Sequence, residues 1–260
     1  MEAEYEYFCR QVEALTGVHL ASYKRPQMER RLRSFMGRVG VDGFVSLVCL
    51  LEHDARRLQE FKDFLTINVS DFFRNTDKFD ELRERILKPA VARGQRLRIW
   101  SAGCSNGSEP YSLAIILEEL GAPNGHTIWA TDIDEDALRK AKAGVYRGYE
   151  IRNVDPARRE QYFTRTGNDE WTIAERFHRR VDFAVHDLLA PTFPSGFDLI
   201  LCRNVVIYFT EPAKDELYRK FSESLKPSGI LFVGGAESIF KAHELGFESV
   251  APFFYRKRAA

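Results

Sequence analysis

Residues 98–114 read RIWSAGCSNGSEPYSLA, and their pattern indicates the fold class of the chain. The apolar run at 98–102 is typical of a buried strand, the glycines at 103 and 107 mark a turn, and a helical pattern begins at Glu109. A strand that runs through a turn into a helix is the first unit of an open α/β sheet. Ligands bind such sheets at the carboxyl ends of the strands, so this turn is the first candidate site.

Similar apolar runs recur towards the C-terminus. They are TIWATDID at 127–134, FDLILCRN at 197–204 and GILFVGG at 229–235, and segments with helical spacing separate them. Because parallel strands are buried on both faces, they are apolar throughout. The alternation therefore predicts a doubly wound, Rossmann-like α/β sheet, and FESVAPFFYRKR at 247–258 predicts one or two edge strands.

The rest of the chain predicts two additions to this sheet. The first ninety residues carry helical spacing and little strand signal, which predicts a helical domain over 1–90. Residues 91–260 are predicted to form the α/β domain. Within it, residues from about 147 to 185 alternate like a small antiparallel sheet, and VDFAVHD at 181–187 is assigned to this inserted β-subdomain.

Composition excludes several classes of protein. The 260 residues contain 38 basic and 38 acidic side chains, whereas proteins that bind nucleic acid or anionic membranes by bulk electrostatics carry a basic excess. No apolar run approaches the roughly 18 residues of a membrane span. The acidic start MEAEYEYF is unlike a signal peptide, so a cytoplasmic protein with no membrane insertion is predicted. The cysteines Cys9, Cys49, Cys104 and Cys202 lack metal-ligand spacing and predict buried free thiols, with no metal site.

The turn at 103–107 favours a cationic, nucleoside-like ligand. Gly103 and Gly107 allow the backbone to come close to a ligand, but their G-x-x-x-G spacing is not the G-x-G-x-x-G of dinucleotide sites. Glu109 at the helix start repels phosphate and suits an ammonium or sulfonium group. Asp132 ends the second strand, where an acid binds ribose hydroxyls. S-Adenosylmethionine meets these requirements, since it has a ribose, a cationic end and no phosphate.

A second interpretation competes, because GCSNG also satisfies the G-x-S-x-G motif of α/β hydrolases. Ser105 would be the nucleophile, with His243 as the base and Asp187 or Asp198 as the acid. The motif follows the first strand, no HGGG-type oxyanion segment precedes it, and Asp132 would have no role. The hydrolase is therefore the less favoured alternative.

Seven ordered segments resemble the chemotaxis receptor methyltransferases, the CheR family, over nearly the whole chain. They are KRPQMERRLR at 24–33, NVSDFFRN at 68–75, WSAGCSNGSEPYSLA at 100–114, ATDIDEDALRKAKAGVY at 130–146, HDLL at 186–189, CRNVVIYF at 202–209 and LKPSGILFVGG at 225–235. The resemblance implies an enzyme that transfers a methyl group from S-adenosylmethionine to glutamates on the cytoplasmic helices of chemoreceptors. The products are glutamate methyl esters and S-adenosylhomocysteine.

The resemblance also implies site residues. Together with Gly103 from the turn, the expected cofactor contacts are Asn68, Ser70 and Arg74 in the N-terminal domain and Glu109, Asp132, Asp187, Leu188, Arg203 and Asn204 in the α/β domain. Arg74 is expected to orient the substrate carboxylate as well, and Tyr208 to lie near the sulfonium through a cation–π contact. A glutamate has a pKa of about 4.3 and is ionised at neutral pH, so no general base is expected.

A basic segment suggests where the substrate docks. Residues 24–38 contain six basic side chains and one acid, a local net charge of +5. Arg30, Arg31 and Arg33 are predicted to dock the acidic receptor helix. The protein is expected to be a monomer. A methyltransferase of another signalling protein and a sensor that binds the cofactor without turnover remain alternatives.

Overall fold

The computed structural model describes residues 2–66, 70–122 and 125–258. The chain forms two compact units, the first comprising Met1–Ile67 and Val205–Leu217 and the second comprising Asn68–Asn204 and Tyr218–Ala260. Residues 70–90, which were predicted to be part of the helical domain, therefore belong to the second unit. The boundary of the substrate-docking domain near residue 90 stays a prediction.

Helices occur in both units. They are α1 Glu2–Thr16, α2 Arg25–Val39, α3 Phe44–His53, α4 Ala55–Leu65, α5 Thr76–Leu82, α6 Lys88–Ala92, α7 Ser108–Glu119, α8 Glu135–Ala143, α9 Pro156–Tyr162 and α10 Glu211–Ser224. A π-helical turn at Arg83–Leu87 lies between α5 and α6. The third boundary between the units along the chain, after Leu217, falls within α10.

The first unit is a helical bundle with an aromatic core. The apolar stripe of α2 is buried through Met28, Leu32 and Phe35, and the ring of Phe35 lies 5.1 Å from that of Phe61 on α4. Cys49 on α3 is exposed, so the prediction that every thiol is buried is wrong at this position. Among the described residues no single helix is long and apolar enough to cross a bilayer; α2 and α3, bent by 61°, pass that test only as a pair.

The strands form two sheets in the second unit. They are β1 Arg98–Ala102, β2 Thr127–Asp132, β3 Val145–Arg147, β4 Phe163–Arg165, β5 Glu170–Ile173, β6 Val181–Val185, β7 Phe197–Cys202, β8 Leu225–Val233, β9 Phe247–Ala251 and β10 Phe254–Lys257. The main sheet has the order β6-β2-β1-β7-β8-β10-β9, and the small sheet has the order β3-β5-β4. The first five strands of the main sheet are parallel, and β9 and β10 are the antiparallel edge strands that the sequence predicts.

The small antiparallel sheet is also as predicted, with one correction. Residues 181–185 do not belong to it, because they form β6 and pair in parallel with β2 of the main sheet. The error has a physical cause. β6 is an edge strand that is not buried along its whole length, since Asp182 and Val185 are exposed, so it lacks the continuous apolar run of the inner strands.

Buried side chains cover both faces of the main sheet. Trp100 on β1 is fully buried and packs against Trp129, Phe197 and Phe221, with ring centroids 4.9–5.4 Å apart. α7 is buried at Ser108 and from Pro110 to Leu117, which accounts for its nearly continuous apolar sequence after the first turn. This packing fixes the position of α7 relative to β1.

Gly107 is required by packing between helices, whereas the sequence suggested that it admits a ligand. It has a φ of +83°, and a Cβ atom at this position would lie 2.8 Å from the Cβ atom of Ala141 on α8. The missing side chain therefore lets α8 approach the start of α7.

Gly107→Ala is expected to lower the free energy of unfolding by about 2–5 kcal/mol. The left-handed backbone costs about 1–2 kcal/mol, and the clash with Ala141 adds about 1–3 kcal/mol. Urea titration followed by circular dichroism measures this loss. Gly94→Ala is the matched control, because Gly94 has a φ of +68° but open space around it. Equal losses in the two variants would contradict the packing role.

Candidate functional site

The carboxyl ends of four neighbouring strands bring the predicted residues of the second unit together. β6, β2, β1 and β7 are adjacent and parallel, so their carboxyl ends lie side by side at one edge of the sheet. That edge, which we call the carboxyl edge, carries the segments 185–188, 132–134, 102–107 and 202–204. It contains Gly103, Glu109, Asp132, Asp187, Leu188, Arg203 and Asn204.

The turn after β1 folds over the end of β2. The backbone N–H groups of Gly103 and Cys104 both donate to the carbonyl oxygen of Thr131, each at 2.8 Å. The N–H of Ser105 donates to Oδ2 of Asp132 at 2.7 Å. Gly103 has a φ of +82° and Ser105 a φ of +49°, so the turn is made of left-handed backbone. These bonds fix the Asp132 carboxylate at the edge.

Asp132 keeps capacity for a ligand. Its Oδ1 accepts the N–H of Asp134 at 3.0 Å, in addition to the bond from Ser105. A carboxylate has about four acceptor positions, so hydroxyl groups of a ligand can also be bound. Burial raises the pKa of Asp132, while the backbone hydrogen bonds from Asp134 and Ser105 oppose that shift.

Asp187 and Leu188 lie next to Asp132 because β6 pairs with β2. The N–H of His186 donates to the carbonyl oxygen of Asp132 at 3.0 Å, which continues the ladder to the end of both strands. Oδ1 of Asp187 accepts the N–H of Leu189 at 2.8 Å and so stabilises the turn after β6. Leu188 is buried, and its carbonyl oxygen accepts from Nζ of Lys220 at 3.1 Å.

A buried ion pair forms the other half of the site. Nη1 of Arg203 lies 3.4 Å from Oε2 of Glu109, and their side chains are 3% and 12% exposed. Oε1 of Glu109 accepts from Oγ of Ser101 at 2.8 Å. The guanidinium also lies over the rings of Phe79 and Phe232, 5.1 and 4.7 Å from their centroids.

The ion pair suits a zwitterion. Burial raises the pKa of Glu109 and lowers that of Arg203, and each partner opposes the shift of the other. Within the described residues the buried Nε of Arg203 has no hydrogen-bond partner, although its N–H is a donor. A carboxylate for an ammonium group and a guanidinium donor for a carboxylate are the two groups that an amino-acid end requires.

The segment 70–75 contributes to this edge as part of the second unit. The N–H of Phe73 donates to Oγ of Ser112 at 3.0 Å. Nη2 of Arg203 donates to the carbonyl oxygen of Arg74 at 2.8 Å and to Oδ1 of Asn75 at 3.0 Å. The backbone of Arg74 is therefore held beside the ion pair. Asn68 lies outside the described residues.

Asn106 organises the turn, although no sequence pattern marks it as a site residue. Its Nδ2 donates to the carbonyl oxygen of Ser70 at 3.3 Å and to Oε1 of Glu150 at 2.6 Å. Its Oδ1 accepts from the N–H and the hydroxyl of Ser108. Asn106 is 6% exposed, so these bonds replace water. A polar residue between two small residues in a predicted turn was the available signal. Two of its partners, Ser70 and Glu150, are far away in sequence.

The remaining predicted residues lie in the first unit. Tyr208 is half-buried in a short 3-10 turn, and its carbonyl oxygen accepts the N–H of Lys24 at 2.8 Å. Arg30 and Arg33 are exposed on α2. Arg31 differs from them, because it donates to the carbonyl oxygen of Phe64 and lies over its ring, and burial lowers its pKa.

The arrangement does not favour the hydrolase alternative. Asp198 lies near the amino end of β7, at the edge opposite Ser105, and its carboxylate accepts from the N–H of Arg98 at 2.8 Å. Asp187 faces its own turn, and His243 is exposed in the turn before β9. Burial raises the pKa of the thiols of Cys104 and Cys202 well above its usual range, which speaks against either as a nucleophile.

The residues at the carboxyl edge fit S-adenosylmethionine. Asp132 has acceptor capacity for ribose hydroxyls, and the pair of Glu109 and Arg203 offers complementary groups to the ammonium and carboxylate of the methionine end. The orphaned N–H of Arg203 is the specific observation that favours a carboxylate-bearing ligand. Phosphate would meet the acids Glu109 and Asp132 instead.

Comparison with known proteins gives matches over almost the whole chain. The family model described as "CheR methyltransferase, SAM binding domain" matches residues 68–252, and "CheR methyltransferase, all-alpha domain" matches residues 3–66. The chain is 40% identical to a Listeria monocytogenes protein named Chemotaxis protein methyltransferase, with 99% of this chain and 98% of that protein covered. It is 37% identical to the Escherichia coli protein of the same name, with 91% and 85% covered.

The raised pKa of Asp132 predicts a pH-dependent stability. A carboxyl whose pKa is raised in the folded state stabilises the fold when the pH is below the ordinary pKa of 3.8. That contribution is lost as the pH rises through the folded-state pKa. Asn at this position has no such loss. The free energy of unfolding of Asp132→Asn, minus that of the wild type, is therefore expected to increase as the pH rises from acid to neutral.

Urea titrations at acid and neutral pH measure this difference. Asp182→Asn is the matched control, because Asp182 is an exposed acid on the neighbouring strand β6. For this variant, the difference in free energy of unfolding from the wild type should change much less between acid and neutral pH. A difference for Asp132→Asn that falls with pH would mean that the hydrogen bonds from Ser105 and Asp134 outweigh the cost of burial.

Proposed function

The chain belongs to the CheR methyltransferase family, and we propose that it methylates glutamate side chains on the cytoplasmic helices of chemoreceptors. It is an S-adenosylmethionine-dependent methyltransferase of chemotaxis. The observation that carries the proposal is that Asp132 and the buried Glu109–Arg203 ion pair lie along the same edge of the sheet. This combination suits a ribose and a zwitterionic amino acid on the same ligand.

Residues of the second unit hold the cofactor in this proposal. Asp132 binds the ribose hydroxyls, Glu109 the ammonium group, and Arg203 the carboxylate. The backbone at Gly103 lets the ligand lie close to the turn. The remaining proposed contacts are Asn68, Ser70, Arg74, Asp187, Leu188 and Asn204. When bound, S-adenosylmethionine supplies an electrophilic methyl group on a sulfonium.

The substrate carboxylate needs no activation by the protein. It is ionised at neutral pH, since the ordinary pKa of a glutamate is about 4.3. Its attack on a sulfonium methyl group removes two opposite charges, so a site that excludes water favours the reaction. The site offers such surroundings, because Glu109 and Arg203 are almost fully buried and Phe79 and Phe232 cover the guanidinium. Alignment and exclusion of water supply most of the rate.

Arg74 and Tyr208 are the proposed catalytic residues. Arg74 orients the reacting carboxylate through its guanidinium, and its backbone is fixed by the bond from Arg203 at 2.8 Å. Tyr208 contributes a cation–π contact to the sulfonium. Neither role requires either side chain to accept a proton.

The proposed docking surface for the receptor helix is centred on Arg30 and Arg33. Both are exposed, whereas Arg25 pairs with Glu29 at 2.6 Å and Arg31 packs on Phe64. The available positive surface is therefore smaller than the count of basic residues in 24–38 indicates. Arg31 contributes charge from the side of this surface. The enzyme acts as a cytoplasmic monomer in this proposal.

The direct test is methyl transfer from methyl-labelled S-adenosylmethionine to receptor cytoplasmic fragments. Label is expected on the fragments and is expected to be released by mild base, because glutamate esters hydrolyse there and methylated amines do not. Fragments with glutamine at the methylated positions are the control and should accept no label. Base-stable label indicates another acceptor, and cofactor binding without transfer indicates a sensor; either result would sink the proposed reaction.

Charge reversal tests the docking surface. Arg30→Glu with Arg33→Glu is expected to lower kcat/KM for the receptor about tenfold at low salt and less at high salt, since surface attraction is screened beyond about 8–10 Å. The affinity for S-adenosylmethionine should not change. Initial rates at two ionic strengths measure both effects.

Arg10→Glu with Arg56→Glu is the matched control, because both residues are exposed on other helices of the same unit. If this pair lowers kcat/KM as much as the change at Arg30 and Arg33, the effect comes from net charge and the docking surface is wrong.

A further inference from the structure

Glu237 lies in the segment that follows β8, and no sequence motif drew attention to it. It is 4% exposed, which is unusual for a carboxylate. Its Oε2 accepts the N–H of Asn204 at 2.6 Å and the N–H of Gly234 at 2.7 Å. Asn204 follows β7 and Gly234 follows β8, which are parallel neighbours. One carboxylate oxygen therefore joins the carboxyl ends of two strands.

The backbone around Glu237 is shaped for this contact. A Cβ atom on Gly234 would lie 2.4 Å from Oε2 of Glu237 and 2.8 Å from the backbone nitrogen of Asn204, so a side chain there would displace the carboxylate. Asn204 has a φ of +62°, a left-handed conformation that non-glycine residues adopt at a cost. Hydrogen bonds to an ionised acceptor are stronger than neutral ones and stabilise that conformation.

Glu237 also acts on the buried guanidinium of the site. The negative charge of Glu237 raises the pKa of Arg203, as that of Glu109 does, and so opposes the effect of burial. Two interactions thus stabilise the turn of Arg203 and Asn204. The backbone N–H of Asn204 is bound by Glu237, and the positive charge of Arg203 is balanced by Glu109 and Glu237.

We propose that Glu237 is a positioning residue that sets the cofactor affinity by fixing the turn of Arg203 and Asn204. It acts through these residues and does not itself contact the cofactor. The inference rests on the proposed function, in which Arg203 and Asn204 bind the methionine end. The N–H bonds at 2.6 and 2.7 Å and the burial of Glu237 are the observations that support it.

Two variants separate position from charge. Glu237→Gln keeps an oxygen acceptor of the same shape, whereas Glu237→Ala removes the acceptor and leaves buried N–H groups unpaired. The dissociation constants for S-adenosylmethionine and S-adenosylhomocysteine, measured by calorimetry, are expected to rise about threefold in Glu237→Gln and more than about tenfold in Glu237→Ala. The KM for S-adenosylmethionine should rise in parallel, while kcat at saturation and the KM for the receptor change less than about twofold.

Hydrogen exchange of the amides of Asn204 and Gly234 supplies an independent readout. Exchange at both amides is expected to be slow in the wild type, faster in Glu237→Gln and fastest in Glu237→Ala. Glu244→Gln, an exposed acid in the same connection, is the control and should match the wild type in every measurement.

Wild-type cofactor affinity in a folded Glu237→Gln variant with unchanged amide exchange would overturn the inference while leaving the proposed function intact. A fall in kcat together with an equal rise in both KM values, in proportion to the loss of folding stability, would overturn it too. That pattern indicates a merely structural role. A wild-type protein that binds no S-adenosylmethionine would remove the proposed function and this inference together. If Glu237→Ala does not fold, Glu237→Gln alone decides.

Discussion

The buried charge of Arg203 is the constraint on which the site depends. A guanidinium that is 3% exposed must be paired and hydrogen-bonded, because a lone buried charge costs several kcal/mol. Glu109 supplies the opposite charge, and Nη2 of Arg203 donates to the carbonyl oxygen of Arg74 and to Oδ1 of Asn75. One side chain thereby links the end of β7, the start of α7 and the segment before α5.

This constraint explains how one sheet edge can bind a ligand that carries both signs of charge. A uniformly acidic edge would attract a sulfonium and an ammonium but repel the carboxylate of the same amino acid. The Glu109–Arg203 pair offers each group an opposite charge, while Asp132 stands apart at the end of β2 for hydroxyl groups. The chemistry then needs a dry, aligned site and no proton transfer, which agrees with the absence of a catalytic base from the proposed mechanism.

Local patterns in the sequence predict the elements and the strand-end acids, but not the long-range bonds between them. Asp132 and Glu109 were identifiable because strand ends and helix starts are visible as local patterns. Asn106 and Glu237 were not, since their partners lie up to 44 residues away and hydrogen bonds leave no periodicity. The wrong assignment of β6 to the small sheet has the same origin. Alternation in a sequence indicates which residues of a strand are exposed, but not which strand lies beside it. Gly107 was recognised as special, but the reason, contact with Ala141, required the fold.

If the carboxyl edge of the main sheet binds the cofactor, as proposed, bound S-adenosylhomocysteine protects that edge from hydrogen exchange. Exchange of the wild-type protein with and without S-adenosylhomocysteine, followed by mass spectrometry, measures this protection. Slower exchange is expected in the segments 102–107, 132–134, 185–188 and 202–204, with unchanged exchange at the amino edge of the same strands. Protection at the amino edge, or in none of these segments, would contradict the proposed site.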